Sequence, residues 1–320
     1  MTAMRLIAGL AAVATVLASA ATAGSARGAQ TAGIRVTLLG TGTPQPVMDR
    51  FGPSILIEAG SHKFLFDAGR GALQRLAQVK VRWPEIDGLF LTHLHSDHVV
   101  GLPDLWLTGW LIGRRDTPIR IWGPAGTTAM TTHLREAFAV DIGYRVSDDH
   151  ASAQGAVIEA KDIVDGVLFD LDGVRVTAFE VDHAPVKPAF GYRVDYRGHS
   201  VVVSGDTRLS ENLIRHAQGV DVLVHEVVSP AAFARAGFTP EEVRSRIDHH
   251  VTPEQAGQVF ARTKPTLAVF SHIGPPSATR SELVTPTGYA GRLEVGEDLM
   301  VIEIGEAVVV RRPGAPSPGR

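Results

Sequence analysis

Short apolar runs, separated by turn-forming residues, recur along the chain and predict β-strands. Each run is four to eight residues long, a length typical of strands in globular proteins. The strand predictions cover Ile34–Leu39, Ser54–Glu58, Lys63–Asp67, Gly88–Thr92, Ile119–Trp122, Val174–Val181, Phe190–Asp195, Ser200–Ser204, Val222–Glu226 and Leu267–Ser271.

Helical stretches lie between these strands. Thr252 followed by Pro253 is typical of a helix start, with an N-cap residue and then Pro at the first helical position. Strands first pair as hairpins and later alternate with helices, which predicts an α/β fold of two mixed sheets packed face to face with helices outside, in one domain. The helix predictions cover Gly71–Val79, Val99–Ile112, Thr127–Val140, Glu211–Ala217 and Pro253–Arg262.

The two ends of the chain are predicted to lie outside this fold. Arg5, the apolar run Leu6–Leu17 and the small residues Ala18–Ala23 indicate a signal peptide over residues 1–23, with the cleavage site left open between 20 and 29. The apolar run is short for a membrane span, so the mature protein is expected to be periplasmic or secreted and free of the membrane. A hydrolase domain is predicted over 30–312 and a disordered tail over 313–320.

The composition and charge of the chain limit the classes of partner that it is expected to bind. A hydrophobic content of 44% supports a sizeable core, and the absence of cysteine excludes disulfides. The net charge of −3 gives no electrostatic case for nucleic acid. Residues 141–172 carry eight acidic and two basic residues, an excess of six negative charges that would repel a polyphosphate backbone. Charge therefore argues against a nucleic-acid partner.

Four metal-capable side chains fall between Thr92 and His98. Residues two apart in an extended segment point the same way, so His93 and His95 can reach one point together. After the chain turns, Asp97 and His98 can face a second point close by. Two imidazoles for one ion, and a carboxylate with an imidazole for another, suit a pair of zinc ions.

This motif has the form H-x-H-x-D-H and resembles that of the metallo-β-lactamase superfamily. The flanking segments Leu38–Pro44, Phe64–Gly69 and Ser204–Arg208 are similar to those of the ribonuclease Z branch, which secreted zinc arylsulfatases and some cyclic-nucleotide phosphodiesterases also resemble. The resemblance runs from about Ile34 to Val310 and implies the αββα sandwich of that superfamily.

The resemblance also implies a complete ligand set. One zinc ion takes His93, His95 and His183, and the other takes Asp97, His98 and His272, with Asp206 bridging the two. Asp97 also holds the proton of the attacking water. Asp67, at the end of a predicted strand, is expected to support a metal-bound imidazole.

A general acid is implied by two further segments. His225–Val228 is similar to the family's H-E-A-T segment, and His250–Thr252 is similar to its H-S-T segment. Glu226 would then orient His250, which protonates the leaving oxygen. Valines at 227, 228 and 251 depart from those segments and weaken the case for the same substrate. His249 stays open as the acid because spacing does not separate neighbours.

The function expected from these features is an exported dinuclear zinc hydrolase of small esters: phosphodiesters, aryl sulfates or lactones. The predicted export favours small esters over tRNA as the substrate, because precursor tRNA is not found outside the cytoplasm. In addition, residues 141–172 show no basic arm of the kind that ribonuclease Z uses to grip tRNA. The alternatives are ribonuclease Z itself and a non-enzymatic metal-binding relative. Dimers are common in the resembled family, so a homodimer is an expectation.

Trp106, Trp110 and Trp122 are candidates for the walls of a substrate pocket. Trp106 and Trp110 stand four residues apart on a predicted helix, a spacing that favours core packing, whereas Trp122 carries no such signal.

Overall fold

A computed structural model describes residues 33–314, which form two β-sheets with helices outside them. The first sheet has the order β15-β14-β1-β2-β3-β4-β5-β6, and the second has the order β13-β12-β11-β10-β9-β8-β7. The strands of the first sheet are β1 (Ile34–Gly40), β2 (Ser54–Ala59), β3 (His62–Phe66), β4 (Gly88–Phe90), β5 (Ile119–Gly123), β6 (Ile158–Asp162), β14 (Val301–Ile304) and β15 (Val308–Arg311). Those of the second are β7 (Gly166–Leu171), β8 (Val174–His183), β9 (Val186–Tyr196), β10 (His199–Val203), β11 (Val222–Val228), β12 (Leu267–Gly274) and β13 (Leu293–Val295).

The helices of the described residues lie along the outer faces of the sheets and in the loops at their ends. Several begin with capping residues, and the Thr252–Pro253 start predicted from the sequence is present with a full capping box. The helices are α1 (Ala72–Gln78), α2 (Ser96–Val99), α3 (Leu102–Leu111), α4 (Thr127–Ala137), α5 (Ala139–Ser147), α6 (Glu211–His216), α7 (Pro230–Arg235), α8 (Pro240–Ile247), α9 (Pro253–Thr263) and α10 (Arg280–Val284).

Alternating side chains of the strands build three hydrophobic layers. Ile55 and Ile57 of β2 face the central core between the sheets, whereas Leu56 faces the layer under α1 and α3. On the second sheet, Val201 faces the central core and Val202 faces the layer under α6 and α9. The predicted αββα sandwich is therefore confirmed, because each sheet buries both of its faces.

The predicted elements agree with the structure except at edges and in loops. All ten predicted strands are present, but the prediction missed β6, β7 and β13 to β15, which are short or partly exposed edge elements. The single helix predicted over Val99–Ile112 is two helices, α2 and α3, which are separated at Gly101. The junction requires glycine, because a Cβ at Gly101 would lie 2.3 Å from the carbonyl oxygen of Gly69.

Residues 141–172 form α5, β6 and β7, and their eight acids all have partners. Two acids share Arg145, and three others pair with Arg120, Arg175 and His62 from outside the segment. Asp162 accepts hydrogen bonds from amides at the start of α4, Asp165 accepts one from the amide of Glu180, and Asp148 accepts one from the hydroxyl of Ser147. The local count therefore overstated the unneutralised negative charge of this surface.

The predicted signal peptide over residues 1–23 lies outside the described residues, as do residues 315–320 of the predicted tail. Export, the cleavage site and the disordered tail therefore stay predictions. Within residues 33–314, no helix is both long enough and apolar enough to cross a membrane.

Candidate metal centre

The predicted ligands meet at one edge of the sandwich, where strands end. Parallel pairing of β3 with β4 in the first sheet, and of β10 with β11 and β11 with β12 in the second, brings the carboxyl ends of the paired strands to one edge of each sheet. His93 follows β4, Asp206 follows β10, and His183 is the last residue of β8. Open α/β sheets place their binding sites at the carboxyl ends of strands for the same reason.

Asp206 lies at the centre of the cluster. Its Oδ2 atom lies 3.7 Å from Nε2 of His93 and 4.0 Å from Nε2 of His183. The same oxygen lies 3.5 Å from Nε2 of His98 and 3.4 Å from Nε2 of His272. One carboxylate oxygen therefore faces imidazoles from both predicted ligand sets, as a bridging ligand would.

His93, His95 and His183 form the first ligand set. Nδ1 of His95 lies 2.9 Å from Nε2 of His93 and 3.5 Å from Nε2 of His183. Nδ1 of His183 donates to the carbonyl oxygen of His249 at 2.8 Å, so Nε2 is left as the lone-pair atom that faces the cluster. These ligand atoms and one oxygen of Asp206 all lie within 4.8 Å of one another.

Asp97, His98 and His272 form the second set. Oδ2 of Asp97 lies 3.6 Å from Nε2 of His98 and 3.3 Å from Nε2 of His272. All three side chains are buried. The structure therefore brings Asp97, His98 and His272 together beside Asp206, and their assignment to one metal ion stays a prediction.

Asp67 and Thr92 hold the second set in place. Oδ2 of Asp67 accepts hydrogen bonds from Nδ1 of His98 at 2.8 Å and from the hydroxyl of Thr92 at 2.9 Å, and Oδ1 accepts one from the amide of Thr92 at 2.8 Å. These contacts fix the tautomer of His98 and direct its Nε2 toward Asp97 and Asp206. The sequence reasoning had not assigned a role to Thr92, although it directly precedes His93.

A β-bulge directs the side chain of His272 into the cluster of predicted ligands. The pairing of β11 with β12 shifts register between Glu226 and Val227, so His272 is the extra residue of a β-bulge. Its φ angle of 45° lies in the left-handed region, which costs a non-glycine residue on the order of 1–3 kcal/mol. Asp67 also has a positive φ, of 60°. Such strain is typical of functional sites, where the fold holds a side chain in an unfavourable but useful direction.

The donor set fits metal ions. Nε2 of His98 and Oδ1 of Asp206 are buried and make no hydrogen bond to any residue within 33–314. A buried polar atom without a partner is costly, and a bound cation would satisfy both atoms. Imidazole nitrogens with carboxylate oxygens are the ligands that zinc prefers in catalytic sites.

The charge states of His93 and Asp206 agree with that fit. Burial, reinforced by the neighbouring His98, holds the pKa of His93 well below its ordinary value, which leaves a neutral imidazole able to coordinate. Burial alone would raise the pKa of Asp206, but His272, His98 and His93 outweigh it and hold that pKa well below the ordinary value. Asp206 is therefore a carboxylate, as a bridging ligand must be.

Glu226 and His250 adjoin the cluster. Oε1 of Glu226 accepts hydrogen bonds from Nδ1 of His250 at 3.1 Å and from the amides of Thr207 and Val251 at 3.1 and 3.2 Å. Nδ1 of His250 also lies 4.0 Å from Oδ2 of Asp206. The predicted pair thus reaches the cluster, and the partner of Glu226 is His250 and not His249, whose contact is through its backbone carbonyl.

The departures at 227, 228 and 251 do not disturb this pair. All three valine side chains are buried in hydrophobic clusters, and position 251 contacts Glu226 through its backbone amide.

The three tryptophans do not line the cluster of predicted ligands. Trp106 and Trp110 are buried, and their indole nitrogens donate to the carbonyls of Ala156 and Ser152. Trp122 stacks on Phe90 with ring centroids 5.0 Å apart.

Comparison with known proteins places the chain in a family. A Beta-lactamase superfamily domain matches residues 62–273. A ribonuclease Z from Mycobacterium marinum (strain ATCC BAA-535 / M) is 36% identical over 277 residues, which cover 85% of this chain and 99% of that relative. The chain belongs to the ribonuclease Z branch of the metallo-β-lactamase superfamily. With its His and Asp clusters, it is a metal-dependent hydrolase.

Solved structures in this superfamily share the fold. The short form of human tRNase Z superposes with a TM-score of 0.63 at 22% identity, covering 85% of this chain and 99% of that chain. Zinc-bound PqqB from Methylobacterium extorquens also has a TM-score of 0.63, at 19% identity, covering 84% of this chain and 100% of that chain. At these identities the likeness concerns the fold alone.

Two expectations from the sequence were wrong. The small-ester hydrolase was preferred to ribonuclease Z on the strength of a signal-like N-terminus, but relatives over 85% of the chain are ribonucleases Z. The argument against a nucleic-acid partner is overturned by the same relatives. The local sum also overstated the negative charge of residues 141–172, because His62, Arg120 and Arg175 from outside the segment pair with three of its acids.

Proposed function

We propose that this protein is a ribonuclease Z, a metal-dependent endonuclease that processes the 3′ end of precursor tRNA. The observation that carries the proposal is the 36% identity to a ribonuclease Z over 85% of the chain and 99% of that relative. The pair of Glu226 and His250 beside the clustered ligands supports it, because cleavage of a phosphodiester with an alkoxide leaving group needs a proton donor.

Two zinc ions are proposed as the cofactor. The first would be held by His93, His95 and His183, the second by Asp97, His98 and His272, and both by Asp206. Bound zinc supplies Lewis-acid activation of water and neutralises phosphate charge.

The chain's own residues would complete the reaction. Asp97, whose Oδ2 faces the cluster, takes the proton of the attacking water as the water oxygen bonds to phosphorus. The bond between phosphorus and the leaving oxygen then breaks, and His250 gives its proton to that oxygen. Glu226 keeps the ring of His250 in place through the 3.1 Å hydrogen bond to Nδ1, so the opposite nitrogen, Nε2, delivers the proton.

A cleavage assay tests the proposal. Purified protein with zinc is incubated with a tRNA transcript that carries a 3′ extension, and the ends are mapped. We expect cleavage at the acceptor end by the wild type, and no cleavage by Asp206→Ala. An Asp116→Ala variant, which changes an exposed acid with no side-chain partner among the described residues, serves as the matched control and should cleave normally. If the zinc-loaded wild type hydrolyses bis-p-nitrophenyl phosphate but leaves the precursor tRNA intact, the ribonuclease Z proposal is refuted.

A further inference from the structure

A small cavity lies in the core between the two sheets, next to the metal centre. Its volume is about 30 Å³, close to the share of one molecule in liquid water. Ile55 and Val203 form apolar parts of its wall, and Glu226, Ser271 and His272 line it from the second sheet. A cavity holds water only if polar partners accompany the space, so the polar atoms of these three residues decide its content.

The second ring nitrogen of His272 is the first of these atoms. Nε2 of His272 faces the carboxylates of Asp97 and Asp206, so the proton of the neutral ring is on Nδ1, which is buried and makes no hydrogen bond within residues 33–314. Three other buried ligand imidazoles have a protein partner for this nitrogen. The pairs are Nδ1 of His93 with the hydroxyl of Thr92, Nδ1 of His98 with the carboxylate of Asp67, and Nδ1 of His183 with the carbonyl of His249. A metal-bound imidazole almost always donates from its second nitrogen, so Nδ1 of His272 requires an acceptor at the cavity.

The second atom is an oxygen of Glu226. Its Oε1 accepts hydrogen bonds from His250, Thr207 and Val251, whereas its Oε2 is buried and accepts none from the part of the chain that the structure describes. A buried carboxylate oxygen without a donor is costly. One group at the cavity is therefore a donor, the N–H of His272, and the other is an acceptor. A water molecule satisfies both, since it accepts from the first and donates to the second.

Ser271 brings a hydroxyl to the same place. It directly precedes His272 and is the register partner of Glu226 in the pairing of β11 with β12. Val224 and Val269 face the core between the sheets, so the side chains two residues further along each strand, Glu226 and Ser271, face this core as well. The hydroxyl thus lies beside the carboxylate and supplies a third partner for a water molecule.

We infer that the cavity binds one structural water, which Ser271 and Glu226 hold and which accepts the hydrogen bond from Nδ1 of His272. Ser271 is then a positioning residue for a metal ligand, although it does not contact the metal. Glu226 acts at both of its oxygens, because Oε1 orients His250 while Oε2 fixes the ring of His272 through the water. This role of Ser271 rests on the proposed zinc site and is independent of RNA as the substrate.

A crystal structure of the zinc-loaded wild type tests the water site directly. We expect density for one water within about 3.2 Å of Nδ1 of His272, Oε2 of Glu226 and Oγ of Ser271. A cavity without density, or Nδ1 of His272 bonded directly to a protein atom, would overturn the inference.

Zinc affinity tests the role of the hydroxyl. Ser271→Thr and Ser271→Val form a matched pair, because the two side chains have nearly the same shape and differ in the hydroxyl. Ser271→Val should lower the zinc affinity of the set that contains His272 about 10–100-fold, the effect of losing the support of a ligating imidazole, whereas Ser271→Thr should bind zinc nearly as tightly as the wild type. Competition with a chromophoric chelator measures both. Ser200→Val, the same change at a buried serine outside the cavity lining, is the control and should keep wild-type affinity.

The possible outcomes separate this role from the proposed function. Equal zinc affinities of the Thr and Val variants at Ser271 would show that the hydroxyl does not support His272. If Ser271→Val does not fold, the wild-type crystal structure still decides whether the water is present. A wild type that binds two zinc ions and holds the water but cleaves no precursor tRNA would overturn the ribonuclease proposal and leave the role of Ser271 intact. A wild type that binds no zinc would overturn the role of Ser271.

Discussion

Nδ1 of His250 lies 3.1 Å from Oε1 of Glu226. The neighbouring ring of His249 makes no hydrogen bond within residues 33–314, and its pKa is lowered to about 4 by burial and by the imidazoles of His250 and His183. A residue that is neutral at physiological pH cannot deliver a proton efficiently. The geometry and the charge state therefore both favour His250 as the proton donor in the proposed reaction.

The first prediction concerns this donor. His250→Ala should slow cleavage of precursor tRNA by about 10²–10⁴-fold, the contribution of a positioned general acid. Esters that release p-nitrophenolate should lose much less, because that group leaves without a proton. The measurements are the rates on both substrates and the metal content of the variant by elemental analysis.

The neighbouring histidine supplies the control for that experiment. His249→Ala preserves the backbone carbonyl that binds His183, so it should leave both rates near the wild-type values. Equal losses on activated and unactivated substrates in His250→Ala would show that His250 is not the acid.

The second prediction concerns pH. Burial alone would lower the pKa of His250, but the carboxylates of Glu226 and Asp206 outweigh it and raise that pKa to about 9. Because the protonated form is the acid, kcat/KM should be retained below the pKa and lost as pH rises through it. Bound cations lower the pKa of a nearby imidazole, so the alkaline limb of the holoenzyme is expected at or below pH 9. Glu226→Gln should move this limb to lower pH, and an unmoved limb would contradict the assignment.

The third prediction concerns metal content. Elemental analysis of the zinc-loaded protein should give two ions per chain, since seven ligands divide into two sets that share Asp206. Asp206→Ala should weaken binding of both ions, because it leaves two groups of imidazoles without their common carboxylate. A single tightly bound ion in the wild type would contradict the dinuclear proposal.

The fourth prediction concerns the support of one ligand. Asp67→Asn should lower zinc affinity of the second set by about 10–100-fold, as expected when the partner of a ligating imidazole is lost. Asparagine tolerates the positive φ of this position, so the backbone is preserved and the loss reports the contacts of the carboxylate to His98 and Thr92. Competition with a chromophoric chelator measures the affinity. Asp170→Asn, an exposed acid paired with Arg175, is the control and should bind zinc as the wild type does.

The fifth prediction concerns the N-terminus. If the signal peptide predicted over residues 1–23 is cleaved, the mature protein begins between Ala21 and Gln30 and is recovered outside the cytoplasm. N-terminal sequencing of protein from each cell fraction decides this. Full-length protein confined to the cytoplasm would show that the apolar run is not a cleaved export signal, and it is the outcome that agrees with precursor tRNA as the substrate.

The sandwich could be predicted from the sequence, as could the identity of the side chains that the structure brings together at its edge. Short apolar runs predict buried strands, because side-chain direction in a strand repeats every two residues and is therefore visible in the local sequence. Likewise, His93, His95, Asp97 and His98 lie within six positions, so their shared direction is a local property. For His183, Asp206 and His272 the signal was a family motif at a strand end, and the fold brings all three to the same edge.

Local sequence patterns do not show which distant positions meet; the family resemblance implied some of these pairs, and the tertiary structure decided between the alternatives. Glu226 contacts His250, 24 positions away, and not His249, and Asp97 contacts His272, 175 positions away. Neither contact can be read from the local sequence. The acids of residues 141–172 looked unneutralised because their partners Arg120, Arg175 and His62 lie elsewhere in the chain. Charge and contact depend on which residues fold next to one another, whereas the alternation that predicts strands depends only on neighbours along the chain.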